Sequence, residues 1–69
     1  MHISLYTMTG ELIAQAPVTA DEHGYLYATH PTFEHEVDCA LYGYQEGGVD
    51  SDTIDDEHGT AYMQWVVTQ

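Results

Sequence analysis

Apolar and polar residues alternate most cleanly at the two ends of the chain. Ile3 and Leu5 alternate with Ser4 and Tyr6 across His2 to Met8, which predicts a strand. Thr9-Gly10 follows as a tight hairpin turn, and Glu11 to Val18 as the return strand. Leu12, Ala14, Ala16 and Val18 then share one face. Pro17 lacks the N–H that a sheet ladder needs, so this strand is expected to lie or end at an edge. At the other end, Thr60 to Thr68 sets Ala61, Met63, Trp65 and Val67 against Tyr62, Gln64, Val66 and Thr68.

The middle of the chain is harder to read. Thr19 to Gly24 is polar and reads as a loop, and Tyr25 to Thr29 as a short strand broken by His30-Pro31-Thr32. Phe33 to Tyr44 fits two periods. With period two, Phe33, His35, Val37, Cys39 and Leu41 form one face and Glu34, Glu36, Asp38 and Tyr42 the other. With helical period, Phe33, Val37, Leu41 and Tyr44 form a stripe, Thr32 is the N-cap and Gly43 the stop. The unbroken alternation favours a strand. Gln45 to Gly59 reads as an acidic loop, with room for one helical turn around Thr53 to Glu57. The expected fold is a mainly β single domain over residues 1–69, a small antiparallel sheet or partial barrel. The alternative is α+β with one helix around 32–43.

Charge changes this picture. The 69 residues include 12 Asp plus Glu and no Lys or Arg, for a formal net charge of −12. An average soluble chain of this length would carry about eight cationic residues. Direct nucleic-acid contact needs Lys or Arg against phosphate, and an anionic membrane needs the same, so neither is an expected partner. The five histidines and the α-amino group are the available internal cations. Hydrophobic content of 43%, with six Tyr, Trp65 and Phe33, still supports a folded core. Cys39 is the single cysteine and reads as a small buried hydrophobe in a reducing cytoplasm. No secretion signal or apolar run of membrane-spanning length is evident.

Several constellations bear on chemistry. On a strand, Glu34, Glu36 and Asp38 would project from one face about 6.8 Å apart, a spacing close to that of phosphates along a nucleic-acid backbone. Asp50, Asp52, Asp55, Asp56 and Glu57 would extend the same negative field. These eight residues are the candidate partner-binding set. Metal binding is the rival: Asp21-Glu22-His23-Gly24 recurs as Asp56-Glu57-His58-Gly59, and the two loops could pool ligands if they were neighbours. The simpler reading is two acidic turns, each closed by a glycine with positive φ. Asp50-Ser51-Asp52 begins like a calcium loop but Ile54, Asp55 and Ala61 then occupy positions that need a ligand, Gly and Glu. His35 and Cys39 would meet on a helix, but nothing nearby lowers the thiol's pKa. Gly47-Gly48 is followed by acids that would repel a phosphate. No catalysis, no cofactor and no specific metal site are expected.

In composition the chain resembles the phage-encoded DNA-mimic inhibitors, among them many anti-CRISPR and anti-restriction proteins. The resemblance rests on small size, absence of Lys and Arg, one cysteine, and the clusters Glu34-Glu36-Asp38 and Asp50-Asp52-Asp55-Asp56-Glu57. It involves no motif. It implies a stoichiometric inhibitor acting in the bacterial cytoplasm; self-association as a homodimer is left open by the sequence. The partner would be a basic nucleic-acid-binding protein or a CRISPR or restriction complex, blocked by electrostatic competition. The alternatives are an acidic antitoxin or assembly factor that masks a basic partner without mimicking DNA, and a His/Asp/Glu metal-binding protein. Whatever the partner, a net charge of −12 repels itself. Added salt therefore raises the thermal midpoint by screening that repulsion; a midpoint that falls between low and moderate salt contradicts this.

Overall fold

The computed structural model describes residues 1–48 and 50–69. Its elements run β1 (His2–Tyr6), β2 (Leu12–Pro17), β3 (Thr19–Ala20), β4 (Leu26–Tyr27), α1 (Glu34–Leu41), β5 (Ser51–Asp55) and β6 (Ala61–Thr68). The main sheet is antiparallel with order β2-β1-β6-β5, and β3-β4 form a second, two-stranded sheet. The fold is mainly β, as expected. The main sheet stays open, with β2 and β5 at its edges, and Pro17 lies on edge strand β2 as its missing N–H requires. Among the described residues, no helix is long and apolar enough to cross a membrane.

The first and last strands pair at the sheet's centre, from His2↔Thr68 to Tyr6↔Gln64. Period-two alternation sends Ile3 and Leu5 of β1, and Met63 and Trp65 of β6, to one face, where all four are buried. Ala16, Val18 and Ile54 join them from the flanks. Ser4 and Gln15 occupy the opposite face, where Gln15 Nε2 donates to Ser4 Oγ over 3.0 Å.

Within segment 33–44, Glu34–Leu41 form a helix, not the strand preferred from alternation. The helical face buries Val37, Ala40 and Leu41, all apolar. The strand face would have carried His35 inward beside Val37 and Leu41 and turned Ala40 outward. That difference decides between two periods the sequence fits equally well. Helix entry is also not as expected. Thr32 does not cap it; Phe33 holds the N-cap position and its side chain makes no cap hydrogen bond. Instead His30 Nδ1 accepts from the backbone N–H of Thr32 at 3.1 Å and of Phe33 at 3.0 Å. Glu34 and Glu36 in the first turn suit the positive end of the helix dipole. Gly43, at φ +78°, ends the helix as expected. Tyr44 then turns back against Trp65, ring centroids 5.5 Å apart.

Three other expectations are corrected. The polar stretch Thr19–Gly24 contains β3, which pairs through Thr19↔Tyr27 and Ala20↔Leu26. The acidic stretch Gln45–Gly59 contains strand β5 and no helical turn, because pairing with β6 buries Ile54. Cys39 is exposed, since the helix turns it away from the Val37–Leu41 stripe.

Each hairpin of the main sheet carries the same irregularity. In β1-β2, Tyr6 pairs with Leu12 but Leu5 with Ala14; in β5-β6, Asp55 pairs with Ala61 but Ile54 with Met63. One extra residue is inserted in each return strand, Ile13 and Tyr62, and alternation reverses there. Leu12, expected on the core face, is therefore 56% exposed while Ile13 packs against the core. Tyr62 is turned to the helix side of the sheet by the same device.

Candidate acidic interface

Of the twelve carboxylates, Glu36 is half-buried and the other eleven are exposed. The outer face of the main sheet, built from His2, Ser4, Tyr6, Gln15, Thr53, Gln64, Val66 and Thr68, bears no acid until Asp55 at the end of β5. The remaining carboxylates lie on α1, on the other side of β5, and in the loops. Helix α1 packs beside β5, which gathers seven of the eight candidate residues at or beside that element pair: Glu34, Glu36, Asp38, Asp50, Asp52, Asp56 and Glu57. Asp55 points to the outer face.

The expected row Glu34-Glu36-Asp38 does not form. Successive second neighbours on a helix lie about 200° apart, so Glu34 and Asp38 share a face while Glu36 turns elsewhere. A shorter row stands on β5 instead. Asp50, whose carbonyl oxygen accepts from Val67 N–H at 2.7 Å, continues the extended chain into Asp52. Two residues of strand separate their Cα atoms by about 6.8 Å. Asp52 keeps one carboxylate oxygen on the Thr53 N–H at 2.8 Å. Charges along this edge also hinder strand addition by another chain.

Glu36 and Asp56 have structural duties as well. The Tyr62 hydroxyl donates to Glu36 Oε2 over 3.0 Å, tying the bulge of β6 to α1. Partial burial, then this hydrogen bond and the neighbouring negative charges of Glu36, Cys39 and Asp56, push the Tyr62 phenol above its ordinary pKa. Asp56 Oδ1 accepts from His58 N–H at 2.9 Å and Thr60 N–H at 3.0 Å. Asp21 Oδ1 makes the same pair of bonds to His23 at 2.8 Å and Tyr25 at 2.9 Å. The repeated Asp-Glu-His-Gly sequence is thus one turn used twice, each copy closed by a glycine, at φ +83° for Gly24 and +80° for Gly59. The loop Thr7–Gly10 has the same backbone closure, with Thr7 Oγ1 accepting from Glu11 N–H at 3.0 Å in the aspartate's place.

The two histidine turns stand at opposite ends of the molecule. His23 O accepts from Gln45 Nε2, and Gly24 O from Glu46 N–H, near the end of β6; His58 precedes the start of β6. Their ligands are not pooled. Each imidazole lies beside the preceding glutamate, Nε2 to Oε1, at 3.5 Å. Among the described residues no group of three His, Cys, Asp or Glu is placed to hold a metal ion. Asp50-Ser51-Asp52 enters a strand, which removes the calcium-loop geometry. His35 Nε2 and Cys39 Sγ lie 3.6 Å apart on the exposed helix face. An open cleft of about 460 Å³ is bounded by Met1, Leu26, Glu46, Asp50 and Val67, on the far side of β5 from the Glu57 turn.

Sequence reasoning missed two contributors. Tyr62 was assigned to the wrong face, because the bulge that re-aims it has no residue signature. Glu46 lies beyond the clusters but faces the same solvent. No protein-family model matches the chain, and no curated protein or solved structure is significantly similar to it.

Because the unfolded phenol of Tyr62 releases its proton first as pH rises, the folded state's preference for the neutral phenol is a stabilising contribution. It is fully present below about pH 10 and is lost as pH climbs through the raised folded-state value. Tyr62→Phe is therefore expected to lose less stability than the parent between pH 9 and 11, roughly the span of tyrosine ionisation. Chemical denaturation across that range checks it, and identical alkaline slopes contradict it.

Proposed function

We propose that this protein is a binding inhibitor, not an enzyme, and that its α1/β5 side engages the basic nucleic-acid-binding surface of another protein. The observation that carries the reading is a set of exposed carboxylates with no lysine or arginine to neutralise them. Such a field steers association with a positive groove and competes with the nucleic acid that normally fills it. The acid-poor outer sheet face gives the field a direction. The compositional resemblance to phage inhibitors points toward a host defence nuclease or surveillance complex in a bacterial cytoplasm.

The helical placement of Glu34, Glu36 and Asp38 favours imitation of charge over imitation of duplex geometry, since the long carboxylate row is absent. That same observation supports the second reading, an antitoxin or assembly factor that masks a basic partner without occupying its DNA site.

Competition separates the two. The immobilised protein, exposed to bacterial lysate at low salt, is expected to retain nucleic-acid-binding proteins that excess duplex DNA releases. Reversing Glu34, Asp38, Asp50 and Asp52 to Lys is expected to abolish retention. Retention that DNA cannot displace favours the masking reading; failure to retain any nucleic-acid-binding protein refutes the mimic reading, and failure to retain any basic protein refutes both.

A further inference from the structure

Three tyrosines stand exposed at one corner of the molecule. Leu26 is buried, so alternation turns its neighbours Tyr25 and Tyr27 outward, and they are 44% and 52% exposed. Tyr25 pairs with Gln45, and Leu26 N–H donates to Tyr44 O, so the segment after α1 runs antiparallel beside β4. That register puts Gly43 opposite Tyr27, with Tyr42, 84% exposed at the C-cap of α1, one residue further along. Among the described residues, none of the three rings stacks on another aromatic and none of their hydroxyls has a hydrogen-bond partner within the chain. The core does not use them.

Their surroundings define what fits them. Asp38 stands one helical turn before Tyr42. Glu22 lies in the turn leading to Tyr25, and Glu46, whose N–H bonds Gly24 O, borders the same turn. Exposed Glu22, Asp38 and Glu46 are thus neighbours, along the chain or across its pairing, of the exposed tyrosines, and this chain, without Lys or Arg, supplies these groups no cationic side chain except histidine. An arginine of a partner meets both demands at once. Its flat guanidinium stacks on a tyrosine face while its in-plane N–H groups donate to a carboxylate; a lysine ammonium, compact and strongly hydrated, gains less from the aromatic face. Tyrosine and arginine are also the residues enriched at the energetic centres of interfaces.

We infer that the Tyr25–Tyr27–Tyr42 corner is an arginine-selective docking surface, where guanidinium groups of a basic protein partner stack on tyrosine rings between Glu22, Asp38 and Glu46. The inference rests on the charge-presenting reading and adds a chemical preference to it: the partner surface is rich in arginine, and charge alone does not account for its binding.

Calorimetric titration with a deca-arginine peptide and a deca-lysine peptide tests it. The parent is expected to bind the arginine peptide about threefold or more tightly than the lysine peptide, the scale of exposed cation–π contacts. Replacing Tyr25, Tyr27 and Tyr42 together by Ser is expected to remove that preference and leave lysine-peptide affinity unchanged, whereas replacing them by Phe retains it. In the unsubstituted protein, ring-proton resonances of the three tyrosines are expected to shift with the arginine peptide and not with the lysine peptide, a readout independent of how the variants fold. Equal affinity for the two peptides, or a preference that survives the serine changes, overturns the tyrosine corner and leaves the charge reading standing. Failure of both peptides to bind at low salt overturns both readings.

Discussion

A carboxylate taken out of water without a cation beside it costs several kcal/mol, and this chain has no lysine or arginine to offer. That constraint organises the structure. Every acid must stay at the surface or be held by neutral donors, and both solutions are visible. Asp21 and Asp56 are tied to backbone N–H groups in matching turns, Asp52 to its neighbour's N–H, and Glu36 to a tyrosine hydroxyl. Glu11 accepts from the Thr9 hydroxyl, Glu22 and Glu57 lie beside His23 and His58, and the rest project into solvent. The core is left to a small apolar set around Ile3, Leu5, Val37, Leu41, Met63 and Trp65, centred on the pairing of the chain's first and last strands.

The turn chemistry shows how the chain folds without ion pairs. In each of three loops a side-chain oxygen at the first position accepts a backbone N–H, and a glycine four residues into the loop closes it. Such bonds are local, and in the two aspartate turns they bring the acid's own charge into use, since a carboxylate accepts more strongly than a neutral oxygen such as that of Thr7. The bulges that follow two of these turns then re-aim Leu12 and Tyr62. The second connects sheet to helix through Glu36, so a residue that belongs to the acidic side also fixes the orientation of α1.

The parts of the fold legible in the sequence are those where one signal dominates. Strand β1, and β6 from Met63 onward, alternate without interruption, and Pro17 marks an edge. Helix α1 was obscured because Phe33, Val37 and Leu41 satisfy periods of two and of four together, and what decides between them is the cost of burying His35, a tertiary matter. Strand β5 was obscured because Ser51-Asp52-Thr53-Ile54-Asp55 carries residues that sheets disfavour; pairing with β6 and burial of Ile54 override them. Of the site, the identity of the charged residues was legible and their arrangement was not: changing 33–44 from strand to helix split Glu36 from Glu34 and Asp38, while Asp50 and Asp52 acquired the strand spacing expected elsewhere.

In this account the outward carboxylates serve a partner and burden the fold. The most direct test is the thermal midpoint of a variant carrying Asp38→Asn, Asp50→Asn, Asp52→Asn and Glu57→Gln, changes that keep size and hydrogen-bonding capacity and remove four negative charges. The account predicts a midpoint above the parent's at low salt, by roughly 4–8 °C for each kcal/mol of repulsion relieved, with the gap narrowing as salt is added. A midpoint below the parent's would mean that these carboxylates hold the structure together, and would contradict the claim that they are there to be bound.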